Sequence, residues 1–184
     1  NILLFLTNIT EIRHAQKVTE VLYSISRAAN LSEDLVELYE YVHVELKKVI
    51  NAKNFAIAEI NEKEGYIEFP YFDDERDDTF SRIELKDVNS VTNKVIALRR
   101  PIRLSESDFI DSVLDKPELY GSISKSWLGV PLLVNDAIFG VVMVQDYSLS
   151  DVYIEEDEII LSSVSEILAS TISKLQYQKE LESL

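Results

Sequence analysis

The chain has 184 residues, 46% of them hydrophobic, and a formal charge of -15 from 33 acidic and 18 basic side chains. That field repels phosphate backbones and anionic membrane surfaces, which excludes direct binding to nucleic acid or to a membrane as a leading function. Cysteine is absent, so disulfides, zinc-thiolate centres, thiolate nucleophiles and thioether-linked chromophores are excluded, and the cytoplasm is the expected compartment.

No apolar run approaches the roughly 20 residues that cross a bilayer, and no basic, apolar and cleavable leader is visible. The length suits one globular domain with helical extensions. The sequence opens at Asn1, and Ile2 to Leu6 already read as a β-strand without lead-in. The expectation is therefore a piece of a larger protein, membrane-anchored or not.

Asn8 to Asn30 read as a helix. Asn8 and Glu11 are spaced as a capping-box variant, and Val18, Val21, Leu22, Ile25 and Ala29 recur at the intervals of a coiled-coil seam. A second helix is expected from a Ser32 cap, through Glu33 and Asp34, to about Asn51, with Lys47 and Lys48 in its last turn. Asn54 to Ile60 and Tyr66 to Phe72, flanking Asn61-Glu62-Lys63-Glu64-Gly65, read as a hairpin. After the polar stretch Asp73 to Thr79 come a short strand near Phe80 to Leu85 and a helix carrying Val88, Val91, Val95 and Leu98. Pro101 stops that helix, and Ile102 and Leu104 form a brief strand.

Ser105 to Ser126 is the least regular region, with one short helix over Phe109 to Leu114 and a loop through Pro117 and Gly121. Trp127 to Val134 and Ala137 to Gln145, joined at Asn135-Asp136, form a second hairpin rich in β-branched residues. The chain closes on a long helix, Glu155 to about Ser183, with Ile160, Leu161, Val164, Ile167, Leu168, Ile172 and Leu175 apolar. That stripe is wide enough to face a sheet and another helix at once. Helices at both ends and hairpins between them define an α+β class, an antiparallel sheet with the terminal helices gathered on one face.

Ser126-Trp127-Leu128-Gly129-Val130-Pro131-Leu132, then Ile138-Phe139-Gly140-Val141-Val142, then Tyr153-Ile154-Glu155-Glu156-Asp157-Glu158 resemble the C-terminal half of a GAF domain, in the subgroup common in bacterial and archaeal sensor kinases. Asn93 to Leu104, a helix ending in Arg99-Arg100-Pro101 and then a strand, resembles the middle segment of that family. Leu6-Thr7-Asn8-Ile9-Thr10-Glu11 is similar to the closing strand and exit motif of a PAS domain, with Asn8 in place of the usual Asp. These resemblances imply a PAS tail at residues 1–10, a connecting signalling helix at 11–30, a GAF domain at 31–175 and the start of an exit helix at 176–184. Cyclic-nucleotide-binding members carry an Asn-Lys pair after the penultimate strand. Here Gln145-Asp146 stands in its place, and only Tyr153 with Asp157-Glu158 remains of the coupled motif.

Catalytic chemistry finds no constellation. The two histidines, His14 and His43, lie on helices without the Glu and Pro that follow a phospho-acceptor histidine, so a structural or surface role is the better reading, with haem ligation the alternative. The run Asp73 to Asp78 reads as a solvated loop rather than a cation site, because it lacks the spacing and glycine of a calcium loop. There is no Gly-x-Ser-x-Gly elbow and no phosphate-cradling glycine loop. The one catalytic branch of the resembled family, the free-methionine-sulfoxide reductases, needs cysteines that are missing here. No cofactor and no metal are expected.

The function expected is a non-catalytic sensory or regulatory module of a signalling protein, with a sensor histidine kinase as parent. The alternative is a ligand-free dimerisation or protein-interaction module in a cyclic-dinucleotide enzyme or transcription regulator. For a ligand on the sheet face opposite the terminal helices, the candidate lining is Tyr71, Phe109, Tyr120 and Trp127, with Arg100 and Arg103 as cations for a carboxylate or phosphate. For a homodimer, the candidate seam is Val18, Leu22, Ile25 and Ala29 with Leu168 and Leu175.

Overall fold

The structure, a computed structural model, describes residues 2–78, 82–112 and 121–184. Its elements in chain order are α1 (Ile2–Leu31), α2 (Leu35–Leu46), β1 (Asn54–Asn61), β2 (Tyr66–Asp73), β3 (Ile83–Glu84), α3 (Val91–Leu98), β4 (Ile102–Ser105), α4 (Glu106–Ser112), β5 (Ser126–Val134), β6 (Ala137–Asp146) and α5 (Glu155–Glu182). The six strands form one sheet in the order β3-β2-β1-β6-β5-β4, with every neighbouring pair antiparallel. The class is α+β.

Strand alternation divides the chain into two cores. Phe55 and Ile57 of β1, Leu128, Val130 and Leu132 of β5, and Val142 and Val144 of β6 face α1, α2 and α5. The residues between them, Ala56, Ala58, Trp127, Val141 and Met143, face the other way and meet Val91 and Val95 of α3 and Phe109 of α4. Each fully buried Leu, Ile or Val contributes roughly 1.5–3 kcal/mol of transfer free energy, so the side-chain period of two fixes the register wherever the pairing is unbroken.

Local chemistry sets the helix ends. The Asp34 carboxylate accepts from the backbone of Val36 (2.7 Å) and Glu37 (3.2 Å) and caps α2, while the expected cap, Ser32, instead donates to the Asp34 carbonyl at 2.6 Å. The second helix ends at Leu46 rather than near Asn51, in turns that run to Ile50. Ser90 caps α3, and Arg99 in a left-handed conformation (φ 53°) ends it two residues before Pro101. Val88 precedes that helix and is exposed. The Asp157 carboxylate accepts from the Ile154 backbone at 2.8 Å at the start of α5, whose first turn is wholly acidic, as the macrodipole favours.

The N-terminus departs from expectation. Ile2 to Leu6 are the first turns of α1, not a strand, and Asn8 and Glu11 lie inside that helix. A strand there has no neighbour, since the sheet's edges are β3 and β4, whereas a helix satisfies its own backbone groups and Leu3, Leu4 and Leu6 are strong helix formers. Among the described residues no helix is long and apolar enough to cross a membrane.

Candidate functional site

The core on the face away from the terminal helices is incompletely filled and leaves a cavity of about 40 Å³. Its walls are aromatic: Phe69 and Phe72 from β2, Phe109 from α4 and Trp127 from β5. Trp127 fits because residue 129, on the same face of β5, is glycine; a methyl group there would overlap the indole ring.

One end of the cavity is polar. Asn54 and Gln145 sit opposite each other across β1 and β6, and Asn54 Nδ2 donates to the Gln145 carbonyl at 3.0 Å. Gln145 Oε1 accepts from Ser124 Oγ at 2.6 Å, while Gln145 Nε2 donates to Asp74 Oδ2 at 2.7 Å. Asp74 also accepts from the Tyr147 hydroxyl at 2.9 Å and from the backbone of Arg76 and Asp77. Asp77 is 3.4 Å from the same hydroxyl and accepts from the Ser122 backbone at 2.8 Å. Burial first, then the two carboxylates, push the Tyr147 phenol far above its ordinary pKa, so it remains a donor. The Arg76 guanidinium lies 4.5 Å over the Tyr147 ring. The acidic run is solvated at Asp73, Glu75, Arg76 and Asp78, as expected, but Asp74 and Asp77 turn inward and tie it over one end of the sheet.

Behind the sheet, His43 of α2 is buried and stacked on Phe55 at 4.8 Å. Its Nε2 lies 2.7 Å from the Ala52 carbonyl, which only accepts, so this nitrogen carries the proton and Nδ1 accepts from the Tyr71 hydroxyl at 2.9 Å. Burial holds the His43 pKa below its usual value, the Ala52 carbonyl opposing this. Asp73 lies 3.3 Å from His43 Nδ1 and 3.6 Å from Lys47 Nζ. Consecutive carboxylates thus serve opposite faces: Asp73 pairs with Lys47 at the end of α2, and Asp74 holds the cavity's polar end.

Of the six residues proposed for the ligand, Phe109 and Trp127 line this cavity. Tyr71 does not; it lies on the helix face against His43. The reason is a register shift opposite Ile57 to Glu59, where β2 carries an extra residue that moves Tyr71 to one face and Phe72 to the other. Arg100 and Arg103 lie instead in an adjoining open groove of about 670 Å³ along β4, which Trp127 also borders and where Arg103 Nε is paired with Glu158 at 2.8 Å. Tyr120 lies outside the described residues. Reading the sequence missed Asn54, Asp74, Gln145 and Tyr147; its one signal was that Gln145 occupies the place of the Asn-Lys pair.

The seam assigned to a partner is occupied within the chain. Ile25 and Leu168 are fully buried, Ala29 and Leu175 nearly so, and Val18 and Leu22 pack on the same core, because α1 lies against α5 and α2. Among the described residues no cluster of three or more potential metal ligands occurs.

The sequence pattern of the GAF domain matches residues 34–172. Among solved structures, the chain superimposes on the GAF domain of a phosphoenolpyruvate-protein phosphotransferase from Coxiella burnetii with a TM-score of 0.75 and 17% identity, over 90% of this chain and 98% of that one. A methyl-accepting chemotaxis protein, residues 122 to 287, gives 0.70 and 17% over 84% and 98%. The free methionine-R-sulfoxide reductase from Neisseria meningitidis, in complex with its substrate, gives 0.67 and 16% over 88% and 91%. Among curated proteins none matches this sequence.

Proposed function

Since the chain belongs to the GAF domain family, a sensory and regulatory module, we propose that it is the non-catalytic sensor of a multidomain signalling protein, binding a small molecule in the cavity and relaying occupancy to its terminal helices. The observation that carries this reading is the Asp73-Asp74 pair. Occupancy that moves Asp74 moves Asp73, and with it the ion pair with Lys47 at the end of α2. From α2 the displacement reaches α1, to which it is tied by the Ser24-Tyr41 hydrogen bond.

Several buried or half-buried polar groups at the cavity, Asn54, Ser90, Thr92 and Gln145, favour sensing over a purely structural interior. Cysteine-dependent reductase chemistry has no thiol to use here. A sensor histidine kinase as parent, and an upstream PAS domain with its tail at residues 1–10, rest on the sequence resemblances alone, the tail being helical from Ile2 rather than a strand, and the parent reading frame tests both. The binding claim is tested by a thermal-shift screen of small amines, alcohols, acids and nucleotides. A ligand should stabilise the unaltered chain and lose that effect in Trp127→Ala. If nothing in the screen stabilises the chain, the interaction-module reading replaces this one.

A further inference from the structure

We infer that the cavity selects a small organic cation, an amine or ammonium group on an apolar body, and rejects carboxylates and phosphates. This names the ligand class for the sensory reading above and rests on it. No Lys or Arg lines the cavity among the described residues, and its one ionised wall group is Asp74. The groups bonded to Asp74, the Gln145 amide, the Tyr147 hydroxyl and the backbone of Arg76 and Asp77, are all uncharged donors. They orient the carboxylate without cancelling its charge. Asp77 adds a second carboxylate behind it, sharing the single Tyr147 proton, while the neighbouring cations are engaged elsewhere, Arg76 over the Tyr147 ring and Lys53 with Glu75. The polar end therefore presents net negative potential to the cavity, in surroundings where charge is weakly screened.

The remaining walls act in the same direction. The faces of Phe69, Phe72, Phe109 and Trp127 carry negative quadrupole potential, which attracts a cation and repels an anion. An anion entering here would lose its hydration and meet Asp74 without a counter-charge. The two arginines suited to an anion, Arg100 and Arg103, belong to the groove along β4. Size limits the class further. A volume of about 40 Å³ holds on the order of three water-sized spheres. A short alkyl ammonium fits this space, whereas a nucleotide does not.

Trp127 is the chain's single tryptophan and borders both the cavity and the groove along β4, so the titrations are run in a background of Arg100→Ala with Arg103→Ala, which removes the groove's cations. The experiment titrates the chain with propylammonium, 1-propanol and propanoate at constant ionic strength, following Trp127 fluorescence. Propylammonium should give a saturable change with a dissociation constant about tenfold or more below that of 1-propanol, and propanoate should give none. Asp74→Asn, which keeps an acceptor for Tyr147, should bring propylammonium and 1-propanol within roughly threefold of each other. Asp77→Asn should narrow the gap in the same direction, and it serves as the reporter if the circular dichroism of the Asp74 variant shows a lost fold.

Equal or tighter binding of 1-propanol or propanoate overturns the cation assignment and leaves the sensory reading standing. An undiminished preference for propylammonium in a folded Asp74→Asn, or in Asp77→Asn where the first is unfolded, also overturns it. Silence of Trp127 toward all three probes overturns both.

Discussion

His43 is buried and Glu59 half-buried on the same face of the sheet, and their titrations move stability in opposite directions. Burial lowers the His43 pKa, so as pH falls the unfolded chain takes the proton first. The contribution of neutral His43 is complete above the ordinary histidine value of about 6.5 and is lost as pH drops through the lowered one. Burial raises the Glu59 pKa, against the Tyr39 hydrogen bond that opposes it. Glu59 therefore favours the folded state most below the ordinary glutamate range, and that contribution is lost as pH rises through the raised value. Two outcomes are expected in urea denaturation. Between about pH 7 and pH 5, His43→Gln should lose less stability than the unaltered chain, because the unfolded state no longer gains a proton at this position. At neutral pH, Glu59→Gln should be as stable or more so, by up to about 1 kcal/mol, since its amide oxygen still accepts from Tyr39 while no charge is buried. A steeper acid loss in His43→Gln, or clear destabilisation by Glu59→Gln, would contradict these assignments.

At the scale of elements, β5 shows how one small residue positions a large one. Gly129→Ala places a methyl group where the Trp127 indole lies, so the ring must move into the cavity or the strand must shift. The cost should be about 1–3 kcal/mol, accompanied by a shifted Trp127 emission maximum. Gly65→Ala is the matched control: its φ of 74° strains a side chain by about 1 kcal/mol, but the space around it is open and the emission should not change. Unaltered emission in Gly129→Ala would mean that the two residues do not pack as described.

The hairpin of β5 and β6 was legible because its alternation is unbroken where Trp127, Gly129, Val141, Met143 and Gln145 share one face. The hairpin of β1 and β2 was legible as an element and misleading as a surface. The extra residue in β2 inverts the alternation midway, at Phe69-Pro70, and Pro70 was its one mark in the sequence, since a proline within a strand sits at an edge or a bulge. Arg103 was misread for another reason: its partner Glu158 lies on α5, and proximity across 55 residues is a property of the packed fold. The same holds for Asp74, whose partners Gln145 and Tyr147 become neighbours only once β1 stands between β2 and β6.

For the whole molecule the question is how a relay through α1 and α5 reaches a second copy, given that their inner faces are already buried. Each helix keeps an outer row that carries two exposed apolar side chains among polar ones. On α1, Ile12 and Tyr23 are 52% and 70% exposed and lie at i and i+11, three helical turns apart. On α5, Ile159 and Tyr177 are 60% and 62% exposed at i and i+18, five turns apart. Both helices also extend beyond the part of the chain that matches the GAF pattern, residues 34–172. Two copies facing each other through these rows would form a four-helix contact whose packing senses any shift of α1. The prediction is a homodimer in solution that Ile12→Glu combined with Tyr177→Glu converts to monomer. Both positions are already solvent-exposed in one chain, so the substitutions should leave the thermal midpoint nearly unchanged. Leu175→Glu should instead unfold or strongly destabilise the chain, by several kcal/mol, because Leu175 is buried against its own core. Light scattering at high protein concentration, paired with thermal unfolding of each variant, separates the two effects. A dimer that survives the exposed substitutions, or an unaltered chain that is monomeric throughout, would leave the outer rows without this role.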